Sequence, residues 1–153
     1  FNAPTGVTLS ANGSYAYVGS FGSNTVSLCS VNAATGALSG CASTGSGFSA
    51  PAGVALNPAG SYAYVPNYQF GNGTVSQCSV NAATGALSGC TTAASGFSAP
   101  LGVALSPNGS YAYVTDFNNS TVSLCSVNVA TGAFSGCAST GSGFNAPSGV
   151  LIN

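Results

Sequence analysis

Short apolar segments alternate with polar positions along the chain, and each segment is bounded by Gly, Pro, Asn or Ser. In Ser-Tyr-Ala-Tyr-Val (residues 61–65) the tyrosines fall two residues apart, which is the period of a strand with one buried face. Thr-Val-Ser-Leu-Cys-Ser-Val (residues 25–31) alternates in the same way, and Asn-Gly between segments is typical of hairpin turns. No window combines a helical period with helix caps. The pattern therefore predicts an all-β chain of short antiparallel strands.

These strands belong to an internal repeat. The sequence Phe-x-Ala-Pro-x-Gly-Val begins at Phe1, Phe48, Phe97 and Phe144, so the three complete repeats have 47, 49 and 47 residues. Four antiparallel strands in a repeat of this length are typical of a β-propeller blade. We therefore predict three tandem four-stranded blades followed by the first strand of a further blade. The predicted boundaries are residues 1–47, 48–96, 97–143 and 144–153.

The third repeat carries the most specific motifs. They are Gly-Val-Ala-Leu-Ser-Pro-Asn-Gly (residues 102–109), Tyr-Val-Thr-Asp (113–116) and Ser-Thr-Val-Ser-Leu-Cys-Ser (120–126), preceded by Pro100. These motifs resemble the Tyr-Val-Thr-Asn type of β-propeller repeat, which is related to the NHL and lactonase-like propellers. The resemblance covers the whole chain and implies propeller blades. In this sequence Asn, Ala or Ser replaces the family's acids and bases.

Three blades are fewer than the four to eight of a closed propeller. Three arrangements are therefore open: a longer ring, two copies that together make six blades, or a head-to-tail fibre. Because the sequence has no Met, we expect a mature product or a segment of a longer protein. The repeats show no atypical capping unit, which favours a homo-oligomer or a filament of identical chains.

The six cysteines follow the repeat. Each repeat has two, always twelve residues apart and on the two arms of one predicted hairpin: Cys29 and Cys41, Cys78 and Cys90, Cys125 and Cys137. Opposed residues on antiparallel strands lie within disulfide range, so we predict three disulfides, with free thiols or a metal site as the alternatives. Three disulfides predict an oxidising, extracellular location, either secreted or at the cell surface.

Composition narrows the function further. Asp116 is the sole charged side chain in 153 residues, and there is no Lys, Arg, His or Glu. The chain therefore lacks the basic residues that bind nucleic acids and the usual acid–base pairs of enzymes. No apolar run is long enough to cross a membrane. We expect no catalytic residues, no metal, no cofactor, no nucleic-acid partner and no membrane insertion. Asp116 aligns with Ser20 and Asn67, which predicts an ordinary loop residue.

Two further sets of residues are candidates for sugar chemistry. Five asparagines lie in the sequence Asn-x-Ser/Thr and are candidate glycosylation sites, although Asn-Gly-Ser is also ordinary turn chemistry: Asn12, Asn72, Asn108, Asn118 and Asn119. One aromatic residue per repeat falls at an equivalent loop position and is a candidate for stacking on a sugar or other ligand, with packing between blades as the alternative: Phe21, Tyr68 and Phe117.

Taken together, these features favour a non-enzymatic extracellular structural protein that assembles through blade stacking or strand addition and carries glycans. The alternative is a secreted propeller module that binds carbohydrate or another ligand. A lactonase-like enzyme is the third option, and it depends on the resemblance alone.

Overall fold

The computed structural model describes residues 1–151, which form three four-stranded antiparallel sheets, each with its strands in chain order. We call these sheets blades 1, 2 and 3. Blade 1 contains β1 (Pro4–Leu9), β2 (Tyr15–Ser20), β3 (Thr25–Val31) and β4 (Leu38–Thr44). Blade 2 contains β5 (Ala55–Leu56), β6 (Tyr62–Asn67), β7 (Gly73–Val80) and β8 (Leu87–Phe97). Blade 3 contains β9 (Pro100–Leu105), β10 (Tyr111–Asp116), β11 (Thr121–Val127) and β12 (Phe134–Thr140).

The prediction of tandem four-stranded antiparallel blades is confirmed. Within residues 1–151 the helical structure is a single 3₁₀ turn at Phe21–Ser23, and no helix there is long and apolar enough to cross a membrane. Residues 144–151 form no hydrogen-bonded strand, and the last part of the predicted further strand, residues 152–153, lies outside the described residues. Gly149 and Val150 nevertheless lie against Gly102, the place that an inner strand of a following blade takes.

The core lies between the blades. Two clusters of buried side chains join neighbouring blades, one between blades 1 and 2 and the other between blades 2 and 3. Phe48 and Phe97, which open the second and third repeats, are buried in these clusters, whereas Phe1 and Phe144 at the two ends are exposed. Burial of an aromatic side chain contributes strongly to stability. The repeated Phe therefore acts as an anchor wherever a neighbouring blade covers it.

A pair of tyrosines joins each blade to the next. In blade 1, the Tyr15 hydroxyl donates to the carbonyl of Ala83 (2.7 Å) and the Tyr17 hydroxyl donates to that of Gly85 (2.8 Å). Both acceptors lie in the β7–β8 turn, which is shaped by the Asn81 side chain accepting backbone hydrogen bonds. Burial of the Tyr17 phenol disfavours its charged form and raises the pKa of Tyr17.

The same contact recurs between blades 2 and 3. Tyr62 donates to the carbonyl of Ala130 (2.9 Å) and Tyr64 to that of Gly132 (2.8 Å). Burial, followed by the neighbouring Tyr62, raises the pKa of Tyr64 to about 12. The contact is thus a property of the repeat and not of one pair of blades.

Each blade also contains a disulfide between its two outer strands: Cys29–Cys41, Cys78–Cys90 and Cys125–Cys137. The strand register shifts at these cysteines. In blade 1, for example, Leu28 pairs with Ala42 whereas Ser30 pairs with Ser39. Gly40 and Cys41 together therefore oppose Cys29 in a β-bulge, and Gly40 has the left-handed backbone (φ 60°) that such a bulge accepts. Three disulfides indicate an oxidising environment, extracellular or periplasmic.

Neighbouring blades approach each other closely at glycine residues. A side chain on Gly19 would bring its Cβ to 3.0 Å from the backbone nitrogen of Gly53, and one on Gly102 would bring it to 3.3 Å from the Cα of Gly149. Thr5 and Thr8 of β1 donate hydrogen bonds to backbone carbonyls of blade 2. The inner part of a blade is therefore in close contact with the backbone of the segment that leads into the next blade.

Candidate functional site

The second strand of each blade ends at a buried polar residue: Ser20, Asn67 and Asp116. The description of Asp116 as an ordinary loop residue was wrong. It is the last residue of β10, and the residue is 3% exposed. A buried polar side chain needs hydrogen-bond partners, so the surroundings of these three residues decide what each of them does.

Asn67 satisfies all of its hydrogen-bonding atoms within blade 2 and the loop before it. Its Oδ1 accepts a hydrogen bond from the backbone nitrogen of Ser49 (3.0 Å). Its Nδ2 donates to Thr74 Oγ1 (3.0 Å) and to Ser76 Oγ (2.8 Å) on the adjacent strand β7. The amide thus joins the entry loop to the body of the blade.

Asp116 performs the same function for the entry loop of blade 3. Both carboxylate oxygens accept from the backbone nitrogen of Ser98 (3.0 Å each), the residue equivalent to Ser49. Oδ2 also accepts from Asn119 Nδ2 (2.9 Å). A carboxylate only accepts hydrogen bonds, so Asp116 cannot repeat the two bonds that Asn67 donates.

A polar cavity of about 390 Å³ lies beside Asp116. Thr121 and Ser123, the counterparts of Thr74 and Ser76, line it together with Asn119. Residues 95–97 of β8 and residues 137–139 of β12 complete the wall. The cavity therefore brings one carboxylate, one amide and several hydroxyls together at the junction of two blades.

This arrangement can bind a neutral polar molecule. Hydroxyl and amide groups both donate and accept hydrogen bonds, and the carboxylate has acceptor capacity beyond the bonds from Ser98 and Asn119. The sequence signal for it was the alignment of Asp116 with Asn67, each followed by Thr and Ser at matching places on the next strand. Within residues 1–151, no cluster of three metal-ligating side chains occurs.

Ser20 in blade 1 differs from both. Its hydroxyl is buried and has no hydrogen-bond partner in the described part of the chain. A serine side chain is shorter than that of Asn or Asp, so it does not reach the entry segment in the way that Asn67 reaches Ser49. Blade 1 consequently lacks the hydrogen bond that joins the end of the second strand to the loop before the blade, which Asn67 and Asp116 make in blades 2 and 3.

The aromatic residues proposed for stacking lie in the loops between the second and third strands. Phe21 and Tyr68 pack against each other edge to face, with their ring centroids 5.4 Å apart, and Phe117 is half-buried in the equivalent loop of blade 3. Tyr68 also contacts Phe70, at 5.3 Å between centroids. Phe70 lies in the two-residue insertion of the second repeat, and the residue is 66% exposed. The sequence analysis did not single out Phe70.

The five candidate glycosylation sites fall into two groups. Asn12, Asn72 and Asn108 are exposed in turns. Asn118 and Asn119 are also exposed, but each uses its side-chain nitrogen in a hydrogen bond, Asn118 to Ser98 Oγ (3.0 Å) and Asn119 to Asp116. Whether any of them is glycosylated stays a prediction.

Four-stranded blades that pack face to face around an inner edge of backbone contacts define a β-propeller. The chain belongs to the family described as "Lactonase, 7-bladed beta-propeller", whose model matches residues 2–152. The resemblance to lactonase-like propeller repeats is therefore confirmed. No curated protein sequence is significantly similar to the chain.

Solved structures share the fold. A Bacteroides fragilis protein assigned as a 6-phosphogluconolactonase superposes with a TM-score of 0.75 at 19% identity, over 95% of this chain and 40% of that one. The periplasmic gluconolactonase of Pseudomonas aeruginosa superposes with a TM-score of 0.68 at 21% identity, over 97% of this chain and 44% of that one. The chain thus spans less than half the length of these proteins.

Family membership overturns two expectations drawn from the repeats and the composition, namely a non-enzymatic structural protein that forms filaments and the absence of enzymatic activity. The low number of charged residues was misleading, because a composition does not say where those residues lie in the structure. One carboxylate beside a polar cavity can still do chemistry, and an uncharged blade surface is equally suited to packing against the other blades of one propeller.

Proposed function

We propose that the chain forms part of a secreted lactonase-type propeller, and that the cavity beside Asp116 binds a sugar lactone for hydrolysis. The observation that carries the proposal is the position of Asp116: the sole acidic side chain is buried at the edge of a polar cavity, in a member of the lactonase propeller family. The hydroxyl and amide groups of the wall suit a ligand with many hydroxyls.

In this proposal Asp116 acts as the general base. Its carboxylate accepts a proton from a water molecule whose oxygen attacks the lactone carbonyl carbon. The ring C–O bond then breaks, the ring oxygen takes up a proton, and the product is the open-chain hydroxy acid. Ser98 and Asn119 hold the carboxylate in place through their hydrogen bonds, and Ser123 and Thr121 supply hydrogen-bonding groups for the substrate's hydroxyls.

The three blades favour an unphosphorylated lactone. Recognition of phosphate in proteins relies on Arg, Lys or backbone N–H groups at helix N-termini. The sequence has no Lys, Arg or His, and the helical structure of residues 1–151 is limited to one 3₁₀ turn. We therefore expect gluconolactone to be a better substrate than its 6-phosphate, with initial rates compared at equal concentration.

The decisive experiment is lactone hydrolysis by the Asp116→Asn variant, followed in a pH-stat with spontaneous hydrolysis subtracted. Asn at this position can still accept the hydrogen bond from Ser98, as Asn67 does from Ser49, so the fold is retained. Loss of a general base lowers kcat/KM by about 100-fold or more. The matched control is Asn67→Asp, which leaves the cavity unchanged and retains activity. Equal rates for wild type and Asp116→Asn would reject the role of Asp116.

A further inference from the structure

The loop that connects β6 to β7 is unlike its counterparts in blades 1 and 3. It is two residues longer, and residues 70–72 form its turn. Phe70 is one of the most exposed large apolar side chains of the blades, although its neighbours Tyr68 and Phe21 are half-buried. Tyr68 contacts one part of the Phe70 ring, and most of the remaining ring surface is open to solvent.

Asn72 lies two residues after Phe70 and opens the sequence Asn-Gly-Thr. Within residues 1–151 its side chain makes no hydrogen bond, and the residue is exposed. Asn12 and Asn108 differ, because their Oδ1 atoms accept backbone hydrogen bonds from Ser14 and Ser110 (3.0 Å each) and shape their turns. Of these three asparagines, Asn72 is therefore the one whose side-chain amide takes no part in holding its turn.

We propose that Asn72 is an N-glycosylation site and that the first sugar ring packs on Phe70. The donor is an oligosaccharide carried on a lipid pyrophosphate. The Asn72 Nδ2–C1 bond forms, the bond between C1 and the phosphate oxygen breaks, the lipid pyrophosphate leaves, and the amide gives up one proton. The Thr74 hydroxyl completes the acceptor sequence.

The exposed ring explains why the sugar is expected on this loop in particular. A pyranose ring has an apolar face of C–H groups, and an aromatic ring covers such a face while leaving the sugar hydroxyls in water. Asn72 and Phe70 belong to one three-residue turn, so a sugar on the amide remains close to the ring. The packing removes apolar ring surface from water at small entropic cost, because the covalent bond already holds the sugar nearby.

The other blades supply matched comparisons. Blade 3 has the same spacing of Phe, Asn and Thr, at Phe117, Asn119 and Thr121, but the Asn119 amide donates to Asp116. A glycan on Asn119 would leave this amide one N–H and would place a sugar at the edge of the cavity. Blade 1 has Phe21 and Thr25 at the same spacing with Ser23 in place of Asn.

The test is secretion of the chain from a eukaryotic host, followed by glycopeptide mass spectrometry at each asparagine. We expect Asn72 to be occupied and to be more occupied than Asn119, and Asn72→Gln to remove that glycan without loss of folding. Ser23→Asn completes an acceptor sequence in the equivalent loop of blade 1 and should add a glycan. An unoccupied Asn72 in folded protein would overturn the proposal.

A second measurement tests the contact with Phe70. Enzymatic removal of the glycan should lower the Tm of wild type by about 2–4 °C, the shift that corresponds to about 1 kcal/mol in a protein of this size. In Phe70→Ala the same treatment should leave Tm unchanged, because the surface that the sugar covers is gone. Equal shifts in both proteins would show that the sugar does not pack on Phe70.

Discussion

Residues 32–41 of blade 1 and residues 81–90 of blade 2 have the same ten amino acids, Asn-Ala-Ala-Thr-Gly-Ala-Leu-Ser-Gly-Cys, in different surroundings. In blade 2 the hairpin receives the tyrosine pair of blade 1, and Leu87 is 5% exposed. In blade 1 the described residues place no blade against the hairpin, and Leu38 is 44% exposed. Identical local sequence therefore gives the same hairpin, whereas the contribution of that hairpin to the free energy of unfolding depends on the neighbouring blade.

The largest difference between the hairpins is expected for truncation of their leucines. Leu87→Ala leaves a cavity in the cluster between blades 1 and 2 and should lower the free energy of unfolding by about 3 kcal/mol. Leu38→Ala removes an exposed side chain and should cost less than about 1 kcal/mol. Denaturant titrations with the disulfides intact measure both values. Similar losses would mean that the hairpin of blade 1 is also covered in solution.

Alanine at the turn glycines separates backbone strain from the contact between blades. Gly36 and Gly85 have almost the same backbone (φ 72° and 71°), so alanine should cost about 1 kcal/mol at each. At Gly85 the new Cβ would also lie 2.8 Å from the Tyr15 ring, whereas nothing lies within 4 Å at Gly36. This overlap should add about 1–2 kcal/mol.

Tyr15→Ala is the control for that contact. In its background, Gly85→Ala should lose most of its extra cost over Gly36→Ala, because the overlapping ring is absent and the remaining close neighbour is the flexible Leu28 side chain, at 3.2 Å. Persistence of the extra cost without Tyr15 would place its origin within the hairpin itself.

The Tyr64 hydroxyl donates to the Gly132 carbonyl in the β11–β12 turn of blade 3, and it predicts that the free energy of unfolding depends on pH. Because burial raises the pKa of Tyr64 to about 12, the folded protein holds the phenolic proton more tightly than the unfolded chain, whose tyrosines have a pKa of about 10. Unfolding free energy should therefore be unaffected by this group below about pH 10 and should fall as the pH rises towards 12. Tyr64→Phe should cost about 1 kcal/mol at neutral pH and make this fall shallower. A fall of unchanged steepness in Tyr64→Phe would assign the effect to other groups.

The smallest expected difference concerns reduction of the disulfides in the two hairpins. Cys29 and Cys78 are both buried, but Cys41 is exposed whereas Cys90 is half-buried. Thiol attack requires access to one sulfur, so Cys29–Cys41 should be reduced several-fold faster than Cys78–Cys90. Brief treatment with dithiothreitol, alkylation and peptide mapping measures the two rates. Equal rates would indicate that the reductant reaches both only after the blades separate.

Much of the fold was predictable because it is local and repeated. The third strand of blade 1 was predicted at residues 25–31 and occurs there as Thr25–Val31, since its alternation and its flanking turns agree. The anchoring Phe48 and Phe97 were also predictable from their places at the blade junctions. By contrast, β5 is limited to Ala55–Leu56, because Pro66 on the adjacent strand β6 has no backbone N–H to donate to a longer inner strand.

The candidate site was harder to predict, because it depends on which side chains donate hydrogen bonds and which only accept them. Asn67 and Asp116 differ little in size, and both fasten an entry loop. A carboxylate cannot donate to the hydroxyls opposite it, and this single difference accompanies the cavity in blade 3. The exposure of Phe70 depends in turn on the path of a two-residue insertion, which no period in the sequence specifies.

The glycine contacts at the inner edge have a consequence for curvature. Each blade is thin where Gly19 meets Gly53 and thick where Tyr17, Phe48 and Leu87 separate neighbouring sheets. Such a blade is a wedge, so every added blade turns the stack in the same sense about its glycine edge. A straight column is therefore not accessible to these blades, and the difference in side-chain volume between the two edges sets how many wedges complete the circle.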